Sequence, residues 1–297
     1  MKIRCLLRKL KKIVLNLYYK ILRKIKPAPF VYDTDETLKT IIEKNASMAR
    51  YGDGELNLIV GNSIDFQDYS SEISNRLQEV LAYDDEKFLV GLPDTFRRRE
   101  DLILKTREFW EQYHNIHWKQ WQKFIKKGKK YYDTCVTRFY LSYIDKTKSE
   151  KILNQWRKVW DKKKIVIVEG KDSKLGVGND LFINASLIRR IICPTHNAFN
   201  VYSKILKSIK DNCSVDELIL IALGPTATVL AFDLYKMGYW ALDIGHIDIE
   251  YEWMLMNVTE KQNVTGKFTN EAIGEKLEGS IQDKFYNDQI IDQINQE

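Results

Sequence analysis

Two apolar runs on either side of one helical segment most constrain the fold of this chain. "ELILIALG" (217–224) and "YWALDIG" (239–245) are apolar stretches that each stop at a glycine, as buried strands do. Between them, "PTATVLAFDLYKMG" (225–238) has Pro225 in its first turn and Gly238 past its end, an asymmetry typical of helices. Strand, helix and strand at this spacing predict a right-handed βαβ unit with parallel strands.

The chain from about residue 34 extends this unit into an α/β pattern. The other predicted elements are strands at 87–93 and 163–170 and helices at 35–46, at 70–83 and over most of 99–160. The first of these helices is expected to open after a Thr34 or Asp35 cap. We therefore predict an α/β fold with a mostly parallel sheet flanked by helices.

The first 26 residues differ from the rest in charge and in pattern. They hold ten Lys or Arg and no acid, so a net charge of +6 for the chain leaves −4 for everything after them. Apolar residues recur there at spacings of three and four, which predicts a basic amphipathic helix. The apolar positions are Ile3, Leu6, Leu7, Leu10, Ile13, Val14, Leu17, Ile21 and Ile25. The expected divisions are this helix with a Pro linker (1–29), the main domain (30–268) and a polar helix or tail (269–297).

Three interpretations of the basic tail compete: a helix on an anionic membrane, an RNA-binding arm, and a helix docked on the domain. The membrane interpretation leads, because basic amphipathic helices bind anionic lipid through apolar area and charge. The apolar runs are too short to cross a bilayer, and the mildly acidic remainder argues against nucleic acid as a partner. Four scattered cysteines indicate reduced thiols. We expect a cytoplasmic protein, peripheral on the inner face of the cytoplasmic membrane through residues 1–26.

Four unusual loops follow or adjoin predicted strands. They are "RYGDGE" (50–55), "GKDSKLGVGND" (170–180), "GPTAT" (224–228) and "DIGHIDIE" (243–250). In parallel α/β sheets, ligands bind where the loops at the carboxyl ends of the strands converge. Four such loops together indicate a binding site more strongly than any one of them does.

Two of these loops suit phosphate. "GPTAT" places backbone N–H groups and the hydroxyls of Thr226 and Thr228 at a helix N-terminus. "GKDSKLGVGND" is glycine-rich and carries Lys171 and Lys174, although it matches neither a P-loop nor a dinucleotide fingerprint. The plain alternatives are a well-capped helix and a surface loop.

"RYGDGE" brings opposite charges together in a short turn. Gly52 and Gly54 flank Asp53 and are expected to let the backbone turn tightly. Arg50 and Glu55 then lie close by. The structural alternative is that Arg50 simply pairs with one of the two acids.

"HIDIE" alternates after a strand that ends at Gly245. In an extended segment His246, Asp248 and Glu250 would point the same way. These groups would repel one another unless a cation or a buried proton compensated. Hard oxygen ligands suit Mg²⁺ or Mn²⁺, so we predict a metal site here. An exposed edge strand with a polar face is the alternative.

"RYGDGE", "LGVGNDLF", "GPTATVLAFDL" and "ALDIGHIDIEYEW", in this order, resemble the GT-D-type glycosyltransferase family. The resemblance covers about residues 35–265. It implies a Rossmann-like fold, a sugar-nucleotide donor and a DxE metal motif, which maps onto Asp248 and Glu250. The "RYGDGE" loop corresponds to the family's signature at the donor site.

The implied enzyme moves a sugar, glucose or a related hexose, from a UDP-sugar to a glycan, glycoprotein or lipid-linked acceptor in bacterial surface polysaccharide or glycoprotein synthesis. Mn²⁺ or Mg²⁺ at Asp248 and Glu250, with His246, would stabilise the leaving diphosphate. The expected donor-binding residues are Arg50, Gly52, Gly54, Lys171, Lys174, Gly176, Gly178, Asn179, Gly224, Thr226 and Thr228. The candidates for a general base are Asp53, Glu55, His246 and Glu252.

Two other functions stay open at this point. A metal-dependent phosphohydrolase or nucleotidase could use the same acidic cluster on nucleotide sugars, without any acceptor. A non-enzymatic scaffold at the membrane surface would use the acids only structurally, but it leaves the four loops unexplained.

Overall fold

The protein folds around one parallel sheet between two helical layers. The computed structural model describes residues 10, 14, 17, 18, 28–96, 99–268, 283 and 285–296. The strands are β1 (Phe30–Val31), β2 (Ser47–Arg50), β3 (Phe88–Leu92), β4 (Lys130–Asp133), β5 (Lys164–Gly170), β6 (Leu187–Cys193), β7 (Leu218–Ala222), β8 (Trp240–Asp243) and β9 (Ile290–Gln293). They pair in the order β1-β4-β3-β2-β8-β7-β5-β6-β9, and each pairing between these strands is parallel.

The helices connect these strands across both faces of the sheet. They are α1 (Thr34–Lys44), α2 (Asp53–Ile59), α3 (Ser71–Ala82), α4 (Leu104–Phe124), α5 (Thr147–Trp160), α6 (Tyr202–Asn212), α7 (Pro225–Lys236), α8 (Ile247–Leu255) and α9 (Tyr286–Gln289). Short 3₁₀ turns lie at Asp94–Phe96, Thr134–Thr137 and Ala198–Val201.

The predicted α/β fold and its βαβ unit are confirmed. β7, α7 and β8 follow one another, and β7 and β8 are parallel neighbours. The cap of α1 was predicted wrongly, because the Asp33 carboxylate accepts the Glu36 N–H at 2.8 Å. The Thr34 hydroxyl instead donates to Asp133 at 2.7 Å. The largely helical stretch 99–160 also contains β4, which was not predicted.

Consecutive strand residues point to opposite faces, as a pleated sheet requires. Met48 belongs to a core cluster with α1, α5 and α8, whereas Ala49 belongs to one with α2, α3, α4 and α7. A third cluster joins α6 and α7 to the same face as Ala49. Trp156 and Trp160 lie fully buried in the first layer, so these aromatic side chains are core.

The connections change direction between β2 and β8. These strands are adjacent, with Met48 opposite Leu242. The chain leaving β2 enters α2 on one face, and the chain leaving β8 enters α8 on the other. Such a switch point opens a crevice at the carboxyl ends of the strands.

The two ends of the chain are described only in part. The segment 269–297 was predicted as a polar helix or tail, and its described part contains α9 and β9, which pairs with β6. Of the predicted N-terminal helix only Leu10, Val14, Leu17 and Tyr18 are described; they are helical and at least 40% exposed. The remainder of that prediction lies outside the described residues. Within the described part of the chain, no helix is both long and apolar enough to span a bilayer.

Candidate active site

A buried ion pair forms the floor of the crevice between β2 and β8. The Arg50 guanidinium donates to the Asp243 carboxylate and to its backbone carbonyl, each at 2.9 Å. Its remaining nitrogen donates to the Thr137 hydroxyl at 2.6 Å and to the Thr134 carbonyl at 3.3 Å. Burial raises the pKa of Asp243, while the guanidinium opposes that rise. The alternative that Arg50 pairs with Asp53 or Glu55 is wrong, since its carboxylate partner is Asp243.

Gly245 makes room for this ion pair. Its φ is +42°, and a Cβ atom there would lie 1.7 Å from an Arg50 guanidinium nitrogen. A side chain at this position would therefore have to displace the guanidinium from Asp243.

The first turn of α2 presents two acids at the crevice. The Glu55 carboxylate accepts the Gly52 N–H at 2.7 Å, and Asp53 beside it is exposed. Burial of the Glu55 carboxyl group raises its pKa to about 7. Gly52 has φ −126°, so the tight turn predicted for the glycines does not depend on left-handed backbone here.

The extended conformation predicted for "HIDIE" is wrong, because Ile247–Leu255 is a helix preceded by His246. Residues two apart on a helix lie about 200° apart around its axis. Asp248 and Glu250 therefore do not share a face, whereas Asp248 and Glu252 do. The three predicted metal ligands do not converge.

Asp248 belongs to a buried cluster with an internal cation. Its carboxylate accepts the Gly176 N–H at 2.9 Å and the Asn179 amide at 2.8 Å. The Lys267 ammonium lies 2.7 Å from Asp248 and 2.7 Å from Glu252, and Lys267 is 1% exposed. This cluster ties the loop after β5 to α8.

Glu250 and His246 face a different loop. The Glu250 carboxylate accepts the N–H groups of Tyr140 and Leu141 at 3.0 and 2.9 Å. The imidazole Nδ1 of His246 lies 3.2 Å from an Arg138 guanidinium nitrogen. Glu250 therefore holds the segment that follows β4.

The loop at 170–180 is held by its contacts with Asp248, Glu252 and Phe182. Gly176 has φ +71°, and a Cβ there would lie 2.4 Å from the Phe182 ring. Asn179 is committed to Asp248 and Glu252. Gly178 also has a positive φ, of +79°. Lys171 is exposed and Lys174 half-buried, so both lysines are accessible to a ligand.

The threonine hydroxyls that were predicted to bind phosphate at "GPTAT" point into the protein. Both threonine side chains are fully buried; Thr228 donates to the Arg50 carbonyl at 2.9 Å, and Thr226 lies 3.5 Å from the Gln67 amide oxygen. Gly224 has φ +52°, and a Cβ there would lie 2.5 Å from the Phe66 ring. The loop that contains Phe66 and Gln67 packs against this helix N-terminus, and Gly224 itself is exposed.

Comparison with known proteins identifies the family. Residues 48–272 match the family model described as "Glycosyltransferase GT-D fold". The chain belongs to the GT-D glycosyltransferase family. It is 37% identical to a solved structure described as a new glycosyltransferase from Streptococcus sanguinis, with a TM-score of 0.87 over 90% of this chain and 100% of that one. A second structure, described as domain of unknown function 1792 with a distinct glycosyltransferase fold, has 40% identity and a TM-score of 0.86 over 90% of this chain and 96% of that one.

Two curated relatives are named as glycosyltransferases. The chain is 39% identical over 261 residues to Glycosyltransferase GlyD of Streptococcus pneumoniae, covering 88% of this chain and 32% of that protein. It is 38% identical over 268 residues to the probable glycosyl transferase Gly of Streptococcus gordonii, covering 90% of this chain and 39% of that protein. The chain thus spans about a third of the length of these relatives. The predicted family is confirmed, and the relatives support the prediction of a glycosyltransferase enzyme.

The residues of this GT-D domain that were predicted to hold a metal do not fit one as a group. Both oxygens of Asp248 are engaged by protein donors, and an ammonium occupies the space between Asp248 and Glu252. Among the described residues, no three His, Cys, Asp or Glu side chains gather where they could hold a metal ion. A cation at this edge would need ligands from elsewhere.

Sequence reasoning missed the side chains that organise the crevice. Asp243 lay in a quoted loop but was given no role, and Thr137 follows a strand that was not predicted. Recognising "KYYD" (130–133) as a strand would have placed Thr137 at the carboxyl edge. No local signal marks Lys267, whose partners lie 15 and 19 residues earlier.

We predict that Gly245→Ala destabilises the protein far more than Gly238→Ala. Both glycines have positive φ, but a Cβ at Gly238 would meet nothing within 4 Å. The control should lose about 1 kcal/mol from backbone strain. Gly245→Ala should lose about 3 kcal/mol more, because it separates the buried partners Arg50 and Asp243. Urea unfolding measures both; equal losses would show that the guanidinium moves aside freely.

A second prediction concerns the internal cation. Lys267→Met keeps the length of the side chain but leaves Asp248 and Glu252 without their counter-charge, which should cost about 3–5 kcal/mol. Lys158→Met, on the exposed side of α5, is the matched control and should change stability by less than about 0.5 kcal/mol. The free energy of unfolding is measured with and without EDTA. A small effect of Lys267→Met together with a loss of wild-type stability in EDTA would restore the metal interpretation.

Proposed function

We propose that this GT-D domain transfers a hexose, glucose or a related sugar, from a UDP-sugar to a hydroxyl of a glycan, glycoprotein or lipid-linked acceptor. One observation carries the proposal: the crevice at the switch point contains a partly buried carboxyl group that titrates near neutral pH, in a chain of a glycosyltransferase family. Bacterial surface polysaccharide or glycoprotein synthesis is the setting that fits such acceptors.

Glu55 is the general base in this proposal. An acceptor hydroxyl attacks the anomeric carbon, its proton passes to a base, and the nucleoside diphosphate leaves. A carboxyl group whose pKa lies near the working pH suits this role best, and Glu55 has a pKa of about 7. Glu252 and His246 are held by Lys267 and Arg138, which makes them weaker candidates.

The diphosphate of the donor is negatively charged, so the site needs positive charge to bind it and to stabilise it as it leaves. Mg²⁺ and Mn²⁺ are commonly held by one or two carboxylates together with substrate phosphates. We propose that Asp53, exposed at the crevice, shares such a cation with the donor; the cation would offset the charge on the leaving diphosphate. Lys171 and Lys174 lie at the same edge of the sheet and are the proposed phosphate contacts.

Membrane association is the last part of the proposal. Leu10, Val14 and Leu17 fall at spacings of four and three, so they share one face of a helix, and each is at least 50% exposed. An apolar face outside the core, within a segment holding ten basic residues, supports binding to an anionic membrane surface. In this proposal the enzyme works on the cytoplasmic side, at the inner membrane face.

The base assignment predicts a pH profile. Glu55 must be ionised to accept a proton, so kcat/KM should fall about tenfold per pH unit below about 7 and level off above it. Glu55→Gln should lower kcat by about 10²–10⁴-fold and remove this limb. Glu72→Gln, at an exposed position of α3, is the control and should keep the wild-type profile. If Glu55→Gln retains the acidic limb, another group is the base.

Donor binding is tested by thermal shift. UDP with Mn²⁺ at about 100 times Kd should stabilise the folded protein by about 2.7 kcal/mol, and UDP in EDTA by much less. Asp53→Asn should lose the Mn²⁺-dependent part, while Asp65→Asn, an exposed acid on a neighbouring loop, should keep it. The absence of a shift with any nucleoside diphosphate would contradict a transferase. Release of UMP and sugar 1-phosphate, at a rate that does not depend on acceptor, would indicate a phosphohydrolase instead.

A further inference from the structure

Helix α4 carries an exposed stripe along its whole length. Its members recur at spacings of four and three, so they share one face of the helix. They are Lys105, Phe109, Gln112, Ile116, Lys119 and Lys123, and every one of them is exposed. The opposite face of α4 is anchored in the core through Trp118 and Trp121, which are at most 1% exposed.

The stripe combines large apolar groups with lysines. Phe109 is 51% exposed and Ile116 is 57% exposed. Exposed lysines continue beyond the helix at Lys126 and Lys127. The exposed acids Glu108 and Glu111 flank the first half only, so positive charge concentrates on the second half. Apolar side chains among lysines are the composition of a helix that lies in the headgroup layer of an anionic membrane.

The stripe is continuous with the basic N-terminal segment. The Lys119 ammonium lies 5.2 Å from the centre of the Tyr18 ring. Tyr18 is itself 40% exposed, and Leu17 next to it is 61% exposed. The described part of the tail therefore meets α4 at the basic half of the stripe and leaves both apolar faces uncovered.

We propose that this face of α4 is a second membrane-contact surface, which binds anionic lipid together with the N-terminal segment. The proposal rests on the membrane association proposed above. It adds an orientation: α4 joins two parallel neighbours, β3 and β4, so it starts at the carboxyl edge of the sheet and returns to the amino edge. With α4 lying along the membrane, the strands run roughly parallel to the bilayer surface, and the basic half of the stripe lies at the end of the sheet away from the crevice.

Co-sedimentation of the full-length protein with vesicles tests this surface. Vesicles of phosphatidylcholine alone are compared with vesicles that also contain phosphatidylglycerol. Lys119→Glu with Lys123→Glu should weaken binding to anionic vesicles by at least about 30-fold, because each basic residue near the surface contributes about fivefold. The matched control, Lys151→Glu with Lys158→Glu, makes the same change in net charge on α5, which packs on the opposite face of the sheet. It should weaken binding far less.

Two further full-length variants separate the contributions. Phe109→Gln with Ile116→Gln should weaken binding by about tenfold or more, since each side chain loses apolar burial in the headgroup layer. Leu10→Gln with Leu17→Gln tests the N-terminal segment in the same way. All substituted side chains are exposed, so melting temperatures should stay near that of the wild type, which excludes loss of folding as the cause.

Each outcome bears on one of the two proposals. If the wild type does not bind anionic vesicles, the proposed membrane association is wrong. If it binds, and the α4 variants bind as well as the α5 control, the tail acts alone and this inference is overturned. If the α4 variants change the oligomeric state of the protein in solution, measured as molar mass without vesicles, the stripe is instead a contact between copies of the chain.

Discussion

The ion pair between Arg50 and Asp243 is the interaction on which the crevice depends. It joins the carboxyl ends of β2 and β8, where the connections change direction, and it reaches the turn after β4 through Thr137. Burying two charges is costly, so such a pair adds little net stability. It does fix geometry, because a misplaced partner leaves an unpaired charge in the interior. The ion pair also requires glycine at position 245, since a Cβ there would overlap the guanidinium.

The acids of α8 position the surrounding loops. Asp248 holds the loop after β5, Glu250 holds the segment after β4, and Glu252 joins Asp248 on the ammonium of Lys267. Each carboxylate therefore accepts hydrogen bonds from N–H groups or pairs with an internal cation, as buried charges require. The helix accommodates three acids in five residues because Asp248 and Glu252 share the Lys267 ammonium on one face, whereas Glu250 accepts the N–H groups of Tyr140 and Leu141 on another. The DxE spacing expected from the resemblance is present in the sequence, but the helix points Asp248 and Glu250 in different directions.

That loops at the ends of the strands meet at one edge of the sheet could be predicted, whereas the contacts between them could not. Apolar runs that end in glycine place "GKDSKLGVGND" and "DIGHIDIE" at one edge of a parallel sheet, and the structure agrees. "RYGDGE" reaches the same edge after β2, a strand that was not predicted. Five residues of "HIDIE" fit a period of 2 as well as part of a helical turn, so periodicity alone does not decide between them. The partner of Arg50 lies 193 residues away. Pairings at such distances follow from strand order, which one sequence specifies only loosely.

Glu55 lies in the first turn of α2, and two effects act on its pKa in opposite directions. A helix N-terminus and the Gly52 N–H favour the ionised carboxylate, whereas burial disfavours it. Burial is the larger effect, and the nearby Asp243 and Asp53 carboxylates add to it, so the pKa rises to about 7. Were Arg50 paired with Glu55 instead of Asp243, its charge would hold that carboxyl group ionised. The commitment of Arg50 to Asp243 is therefore what leaves Glu55 able to exchange a proton near neutral pH.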